Sequence, residues 1–311
     1  MTRLQGATDL PTRCAVVLSD VMNELHNIAF NPNYVFLRQA FLVGAMASLS
    51  FGIVGSFVVV RRVGYLAGAI AHCAFGGIGI GIFCQQAAML AGLTMLGRLL
   101  NPLAVAVVFA IFSALLIGFI QLRMKEREDS LISAIWAVGM AVGILFLNAT
   151  SGYNSITSFL FGDILLITDY HAMLVGTFGL FVLLMTVVYF KRLEAVCFDE
   201  EYLRLRGLNA EFYFQLLLVL VAVTVVLMIQ LVGIILVIAL LTLPAATAAR
   251  MTSRLFPMAC VATGLCLFCT WGGLLISTVF DLSSGPIIIL VAGAGYVIAL
   301  VGSAMATGNG A

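Results

Sequence analysis

The chain has 311 residues, of which 63% are hydrophobic and only 9% are charged, and its formal net charge is +1. Soluble globular proteins carry about 25% charged residues, so this composition excludes a water-soluble domain and makes lipid the solvent for most of the chain. The near-neutral charge argues against a nucleic-acid partner, which would favour a basic surface.

Clusters of charged residues divide the chain into apolar stretches, and a bilayer core takes about 20 apolar residues of helix. We predict a polar N-terminal extension over 1–34, a transmembrane domain over 35–304 and a tail over 305–311. The stretch 212–249 is long enough to cross twice, with a turn at 230–233. The sequence thus predicts an all-α bundle of about eight or nine transmembrane helices, with spans in chain order at 39–60, 63–97, 99–122, 130–162 (with a polar loop at 148–158), 172–190, 212–249, 255–280 and from 282 onward.

The distribution of Lys and Arg predicts the orientation of the bundle, because cytoplasmic loops carry the excess of these residues. If the N-terminus is external and the chain crosses nine times, 11 of the 15 basic residues fall on the cytoplasmic side. The external side then holds only Arg3, Arg13, Arg38 and Arg98. This orientation places the C-terminus in the cytoplasm.

The second span holds His72, an ionisable side chain within membrane depth, where such groups are functional candidates. Imidazole nitrogen is a good ligand for zinc and related ions. The alternative is a histidine that only bonds to a neighbouring helix. Gly77 and Gly81 follow at GxxxG spacing, which lets two helix backbones approach closely.

The segment 159–167 is apolar but too short to span, which is typical of a re-entrant or interfacial helix on the outer side. Asp163 is the carboxylate that it would present to an entering cation, although a solvated boundary residue is an equal alternative. Asp169 fits an N-cap of the next span, and His171 fits an interfacial position. Asp281 lies in a predicted outer turn and is interpreted as structural rather than metal-binding.

The polar insert 199–209 has the marks of a short cytoplasmic helix between two spans. Asp199 suits the N-cap, Glu200 and Glu201 suit the first turn, Arg204 suits the last turn, and Gly207 suits the C′ position. No span needs Tyr202, Leu203 or Leu205, so these residues are available to a partner protein. The alternative is an interfacial helix lying on the membrane.

Pro244 interrupts a helix pattern near the end of the stretch 212–249 and is expected to kink it. Neighbouring helices can satisfy the carbonyl that proline leaves free. The sequence contains no GxxxxGK[ST] phosphate loop. We therefore expect no ATP hydrolysis by this chain through that motif.

These motifs, taken in order, resemble the membrane permeases of the zinc/manganese/iron class of ABC importers. The resemblance runs from Phe41 to Leu300. It is carried by GSFVVVRR at 55–62, the His72 segment, FGDIL at 161–165, the insert 199–209, LPAATA at 243–248, and FD at 280–281 with SGP at 284–286.

The resemblance implies a fold distantly similar to the vitamin B12 and siderophore importer permeases. It also implies a second permease chain, a separate ABC ATPase docked on the helix at 199–209, and an extracytoplasmic metal-binding protein. The cargo would be a divalent transition metal ion, either zinc or manganese with iron as a further alternative, and no cofactor would be permanently bound. The ion would cross the plasma membrane of a bacterium. Many relatives carry Asp where this chain has Ala69, so a simple Asp/His site beside His72 is in doubt.

Two other functions remain open from the sequence. An ion-coupled secondary transporter would be expected to bury carboxylates at mid-membrane, often in inverted repeats, and neither feature is visible. A non-transporting subunit of a membrane complex would be favoured if replacing His72 and Asp163 by alanine left uptake and assembly unchanged. We therefore expect an ATP-driven metal importer permease.

Overall fold

The protein's structure, a computed structural model, describes residues 35–92, 97, 101–123, 128–150, 160, 162 and 169–308. All regular secondary structure in these residues is α-helical, and nine of the helices are long and apolar enough to cross a membrane. The all-α bundle is thus confirmed, with nine candidate spans in the described residues. In chain order the helices are α1 (Val35–Val60), α2 (Gly64–Leu90), α3 (Pro102–Arg123), α4 (Glu128–Ala149), α5 (Asp169–Phe198), α6 (Glu200–Leu205), α7 (Ala210–Val232), α8 (Ile234–Met251), α9 (Leu255–Phe280) and α10 (Ser284–Gly308).

Helices α1, α2 and α7 form the centre of the bundle. Helix α2 packs against α3, α4 and α7, and α1 packs against α9, α8 and α5. In an 18-residue apolar stretch of α2, 83% of the residues are buried, whereas in the corresponding stretch of the peripheral α10 only 11% are buried. Lipid tails are as apolar as leucine, so this burial reflects helix–helix packing rather than a hydrophobic drive. The helix that carries His72 is therefore the most enclosed span.

The long apolar stretch after residue 210 crosses twice, as predicted. Helix α7 ends at Val232 and α8 begins at Ile234, so Gly233 alone separates them. Gly233 has φ 83° and ψ 159°, a region of backbone conformation that is essentially restricted to glycine. The absence of a Cβ at this position makes the one-residue reversal possible.

The prediction that the fifth span stops at Phe190 was wrong about the helix. Helix α5 continues past Lys191 and Arg192 to Phe198. Leu193 and Val196, in this extension, are fully buried against the bundle. The paired charges therefore do not mark the end of this helix, and packing of its inner face extends it to Phe198.

Candidate functional site

His72 lies in the third turn of α2 with only 9% of its surface exposed. Its Nδ1 is 2.9 Å from the carbonyl oxygen of Gly68, one turn earlier. The carbonyl can only accept, so Nδ1–H donates and the lone pair of the neutral ring lies on Nε2. Nε2 has no hydrogen-bond partner in the described part of the chain. The fold thus fixes the tautomer that leaves Nε2 available as a ligand.

Helix α4 packs closely over this imidazole. The ring centroids of His72 and Trp136 are 4.7 Å apart. A Cβ added at Gly68 would lie 3.1 Å from the tip of the Trp136 indole. Gly139, one turn after Trp136, lies directly against the backbone of α2 at Cys73. Trp136 was not identified from the sequence. It shares a helix face with Gly139, three residues later, and Gly139 and Gly143 have the GxxxG spacing of a close helix–helix contact.

Ala69 occupies the position where the resemblance noted from the sequence predicts a carboxylate in many relatives. Ala69 is three residues before His72 on α2 and is completely buried. A methyl group therefore stands where a carboxylate would face the same side of the helix. Among the described residues, no group of three or more His, Cys, Asp and Glu side chains is placed to hold a metal ion.

Gly162, the residue before Asp163, meets the junction between α7 and α8. Asp163 lies outside the described residues. Its neighbour Gly162 has φ 65°, and a Cβ there would lie 2.3 Å from the carbonyl carbon of Val232. Gly162 and Gly233 therefore allow two backbones to touch at this end of the bundle.

No hydrogen bond joins His72 to Gly162 in the described part of the chain. Helix α8 returns from Gly233 toward the start of α2, because a Cβ at Gly64 would lie 3.5 Å from the Thr242 side chain. Thr242 follows Gly233 by nine residues, or about 14 Å of helix. His72 stands about 12 Å along α2 from its start, so the structure does not place the two positions far apart along the bundle.

The remaining candidates fall at helix ends. Helix α5 begins at Asp169 and includes His171, and the side chains of both lie outside the described residues. Asp281 occupies the left-handed C-cap of α9, with φ 52°. Aspartate tolerates this conformation better than most residues, which accounts for Asp281 without a ligand.

The short helix α6 forms within the predicted segment. The Asp199 carboxylate caps it by accepting a hydrogen bond from the Tyr202 backbone N–H at 2.9 Å, and Glu200 and Glu201 occupy its first turn. The helix ends with Arg204 in its last turn and Gly207 at φ 72°.

Of the three apolar residues of α6 that were expected to be available to a partner, two are exposed and one is buried. Tyr202 is 44% exposed and Leu205 is 84% exposed, so both are available to a partner. Leu203 is only 2% exposed and packs in the core of the bundle. The helix is therefore anchored by Leu203, and its exposed apolar surface is reduced to Tyr202 and Leu205.

Pro244 lies inside α8, and the helix continues to Met251. Proline has no N–H, so the carbonyl of Leu240 has no helical donor. The Cys266 thiol of α9 lies 3.8 Å from that oxygen and donates to it. A neighbouring helix thus satisfies the freed carbonyl, as expected at membrane depth.

The GxxxG pair Gly77 and Gly81 faces α3. A Cβ at Gly77 would lie 2.9 Å from the Cα of Ala106, and one at Gly81 would lie 2.7 Å from the Cα of Pro102. Both are below ordinary Cβ contact distances. The spacing read from the sequence therefore corresponds to a close helix–helix contact beside the His72 turn.

The sequence and the fold of the chain are similar to those of known membrane proteins. A family model described as "ABC 3 transport family" matches residues 33–303. The chain is 38% identical over 272 residues to a Chlamydia pneumoniae protein named "probable metal transport system membrane protein", covering 86% of this chain and 88% of the relative. It is 28% identical to the manganese transport system membrane protein MntC of Halalkalibacterium halodurans, with 86% and 87% covered. It is also similar to the structure of PsaBC from Streptococcus pneumoniae in complex with Fab, with TM-score 0.77, 25% identity, and 90% of this chain and 95% of that chain covered.

Proposed function

The chain belongs to the ABC 3 transport family and is a membrane permease, and on that premise we propose that it carries a divalent transition metal ion into the cytoplasm. The ion is the cargo, and ATP hydrolysis on a separate subunit drives the transport. The membrane would be the plasma membrane of a bacterium, as for the bacterial relatives.

The observation that carries this proposal is the neutral imidazole of His72 at membrane depth. Gly68 fixes Nδ1–H, so Nε2 offers one nitrogen lone pair inside the most enclosed helix. A single nitrogen ligand binds a transition metal ion weakly, whereas a closed tetrahedral site would retain it. Weak and sparse coordination suits a path that must release the ion. Asp163 is proposed as the carboxylate at the outer entrance of the same path.

Manganese is the first cargo to test, because relatives are named for manganese transport. Zinc and ferrous iron accept overlapping nitrogen and oxygen ligands. Because the side chain of Ala69, three residues before His72, is a methyl group, this position offers no oxygen ligand to an ion beside His72. Direct comparison of the three ions is therefore part of the experiment.

The partners follow from α6 and from the missing phosphate loop. Tyr202 and Leu205 form an exposed apolar pair on a capped, charged helix that is too short to span. We assign this surface to a separate ABC ATPase. A second permease chain and an extracytoplasmic metal-binding protein complete the proposed assembly.

The first prediction tests His72 by uptake of manganese, zinc and ferrous iron, each measured in cells that lack the native chain. The variant His72→Ala removes the nitrogen ligand and is expected to lower uptake of the cargo ion by about tenfold or more. The control is Ala74→Ser, a buried position two residues along the same helix that tests tolerance to a small polar change. Wild-type uptake in His72→Ala would overturn the proposal.

The energy source separates this proposal from an ion-coupled secondary transporter. Uptake by the wild-type protein is expected to survive collapse of the membrane potential and to stop when ATP is depleted. Co-purification of an ATPase in mild detergent supports the same conclusion. Uptake that follows the membrane potential instead would favour the secondary transporter.

A further inference from the structure

We propose that Arg61 is a positioning residue that links the docking helix α6 to α2, the helix that carries His72. The inference rests on the proposed function and adds to it a series of contacts that connects the proposed ATPase surface on α6 to the helix that carries His72. Its basis is the set of contacts that Arg61 makes at the turn between α1 and α2.

Arg61, in the turn between α1 and α2, contacts two elements, α6 and α7, that are distant from it in sequence. Its guanidinium forms an ion pair with the Glu200 carboxylate in the first turn of α6. The same guanidinium lies over the Phe214 ring of α7 at 5.3 Å from the centroid. The Arg61 and Glu200 side chains are 28% and 29% exposed, so the pair is partly enclosed where α6 meets the bundle.

The turn that carries Arg61 is short and hydrogen-bonded. The Arg62 N–H donates to the Val59 carbonyl at 3.0 Å, and the Val63 N–H donates to the Val58 carbonyl at 2.9 Å. This is the pair of bonds of a Schellman motif, with Arg62 at φ 61° in the position that usually holds glycine. Val63 is 2% exposed and α2 starts at the next residue. Because only Arg62 and Val63 separate Arg61 from α2, a displacement of Arg61 is expected to move the start of α2 as well.

The path from this turn to the candidate ligand is one rigid helix. His72 lies eight residues after Gly64, about 12 Å along α2. Within the described residues, the only other ion pair joins Lys191 to Glu194 on a single helix, α5, so it links no separate elements. Leu203 anchors α6 by apolar contact, and the Arg61–Glu200 pair adds a directional connection to α2.

Folding stability is not a sufficient reason for the pair. Ion pairs of this exposure contribute little to stability because water screens them and two side chains must be ordered. A contact between two elements that move relative to each other acts instead by stabilising one conformational state more than the other. Its removal should therefore affect the coupling between hydrolysis and transport more than assembly.

The second prediction is that Arg61→Gln uncouples the transporter. In the complete complex, the ATPase should still co-purify and hydrolyse ATP at the basal rate, whereas metal transported per ATP hydrolysed should fall at least about fivefold, the lower end of typical coupling between sites. The matched control is Lys191→Gln, which makes the same change at the local pair and should keep wild-type coupling. The charge exchange Arg61→Glu with Glu200→Arg should recover part of the lost transport.

Three results would overturn the inference: wild-type transport per ATP in Arg61→Gln, an equal loss in Lys191→Gln, or loss of the bound ATPase in Arg61→Gln. The last result would make Arg61 a docking residue. Absence of recovery in the charge-exchanged protein, with the ATPase bound, would also count against it. Failure of the proposed function is distinguishable, because in that case the wild-type complex itself moves no metal.

Discussion

Glycines in α1 and α10 have opposite surroundings, although both helices are apolar spans. A Cβ added at Gly55 of α1 would lie 2.2 Å from the backbone oxygen of Leu241 in α8. At Gly293 and Gly295 of α10, nothing lies within 4 Å of an added Cβ. Glycine content alone therefore does not indicate where helices touch in this protein. The difference arises because helix contact in lipid depends on close backbone approach at particular positions.

The largest expected effect is at Gly55. The variant Gly55→Ala places a methyl group against a carbonyl of the backbone, which cannot rotate away, so α1 and α8 must separate. Overpacking of this kind costs about 3 kcal/mol. The measurement is thermal unfolding of the purified protein in detergent, with Gly264→Ala as the control because nothing lies within 4 Å of a Cβ there. An unchanged midpoint in Gly55→Ala would show that the two helices are not in contact.

A smaller effect is expected at Gly68, where the neighbour can move. An added Cβ would lie 3.1 Å from the end of the Trp136 indole, and a side-chain ring can shift by a few tenths of an ångström. Gly68→Ala should cost about 1 kcal/mol and displace Trp136 from the imidazole of His72. Tryptophan fluorescence in a Trp271→Phe background reports this displacement, since the sequence has two tryptophans.

The matched control for that experiment is Gly64→Ala in the same helix, where the added Cβ would make an ordinary 3.5 Å contact with Thr242. Its emission spectrum should equal that of the parent. Identical spectra for Gly68→Ala and the parent would contradict the close contact between Trp136 and α2.

The smallest expected effect is at Gly293. Alanine at an open helical position lowers the entropy of the unfolded chain, so Gly293→Ala should stabilise the isolated protein by about 0.5 kcal/mol. The same thermal unfolding assay measures it. A loss of stability in the isolated chain would mean that α10 is packed at this position, and the contrast with Gly55 would disappear.

Much of the fold could be predicted because charge and apolar length set the spans. The predicted limits of α9, 255–280, are those of the structure, since Arg254 and Asp281 flank an uncharged stretch. The cap residues Asp199 and Gly207 likewise identified α6, because their roles depend on local backbone geometry. Local chemistry was therefore readable from the sequence alone.

Specific contacts between residues far apart in the chain could not be predicted from the sequence. The pairing of Arg61 with Glu200 joins residues 139 positions apart, and no local pattern records it. Arg62 adopts a left-handed conformation that the sequence does not signal, in contrast to Gly207, where glycine marks the same type of turn. Leu203 resembled Leu205 in sequence, and only the packing of α6 on the bundle distinguishes the buried leucine from the exposed one.

The anchoring of His72 to the carbonyl of Gly68 has a consequence for how an ion would be released. Both groups belong to one helix, so the imidazole keeps its orientation relative to α2 wherever that helix stands. The imidazole therefore moves together with α2, and its hydrogen bond to the Gly68 carbonyl need not change during a transport cycle. Under the proposed function, affinity for the ion would then change through the groups that approach or leave Nε2, and Trp136 of α4, whose ring centroid lies 4.7 Å from the imidazole, is one neighbour to follow.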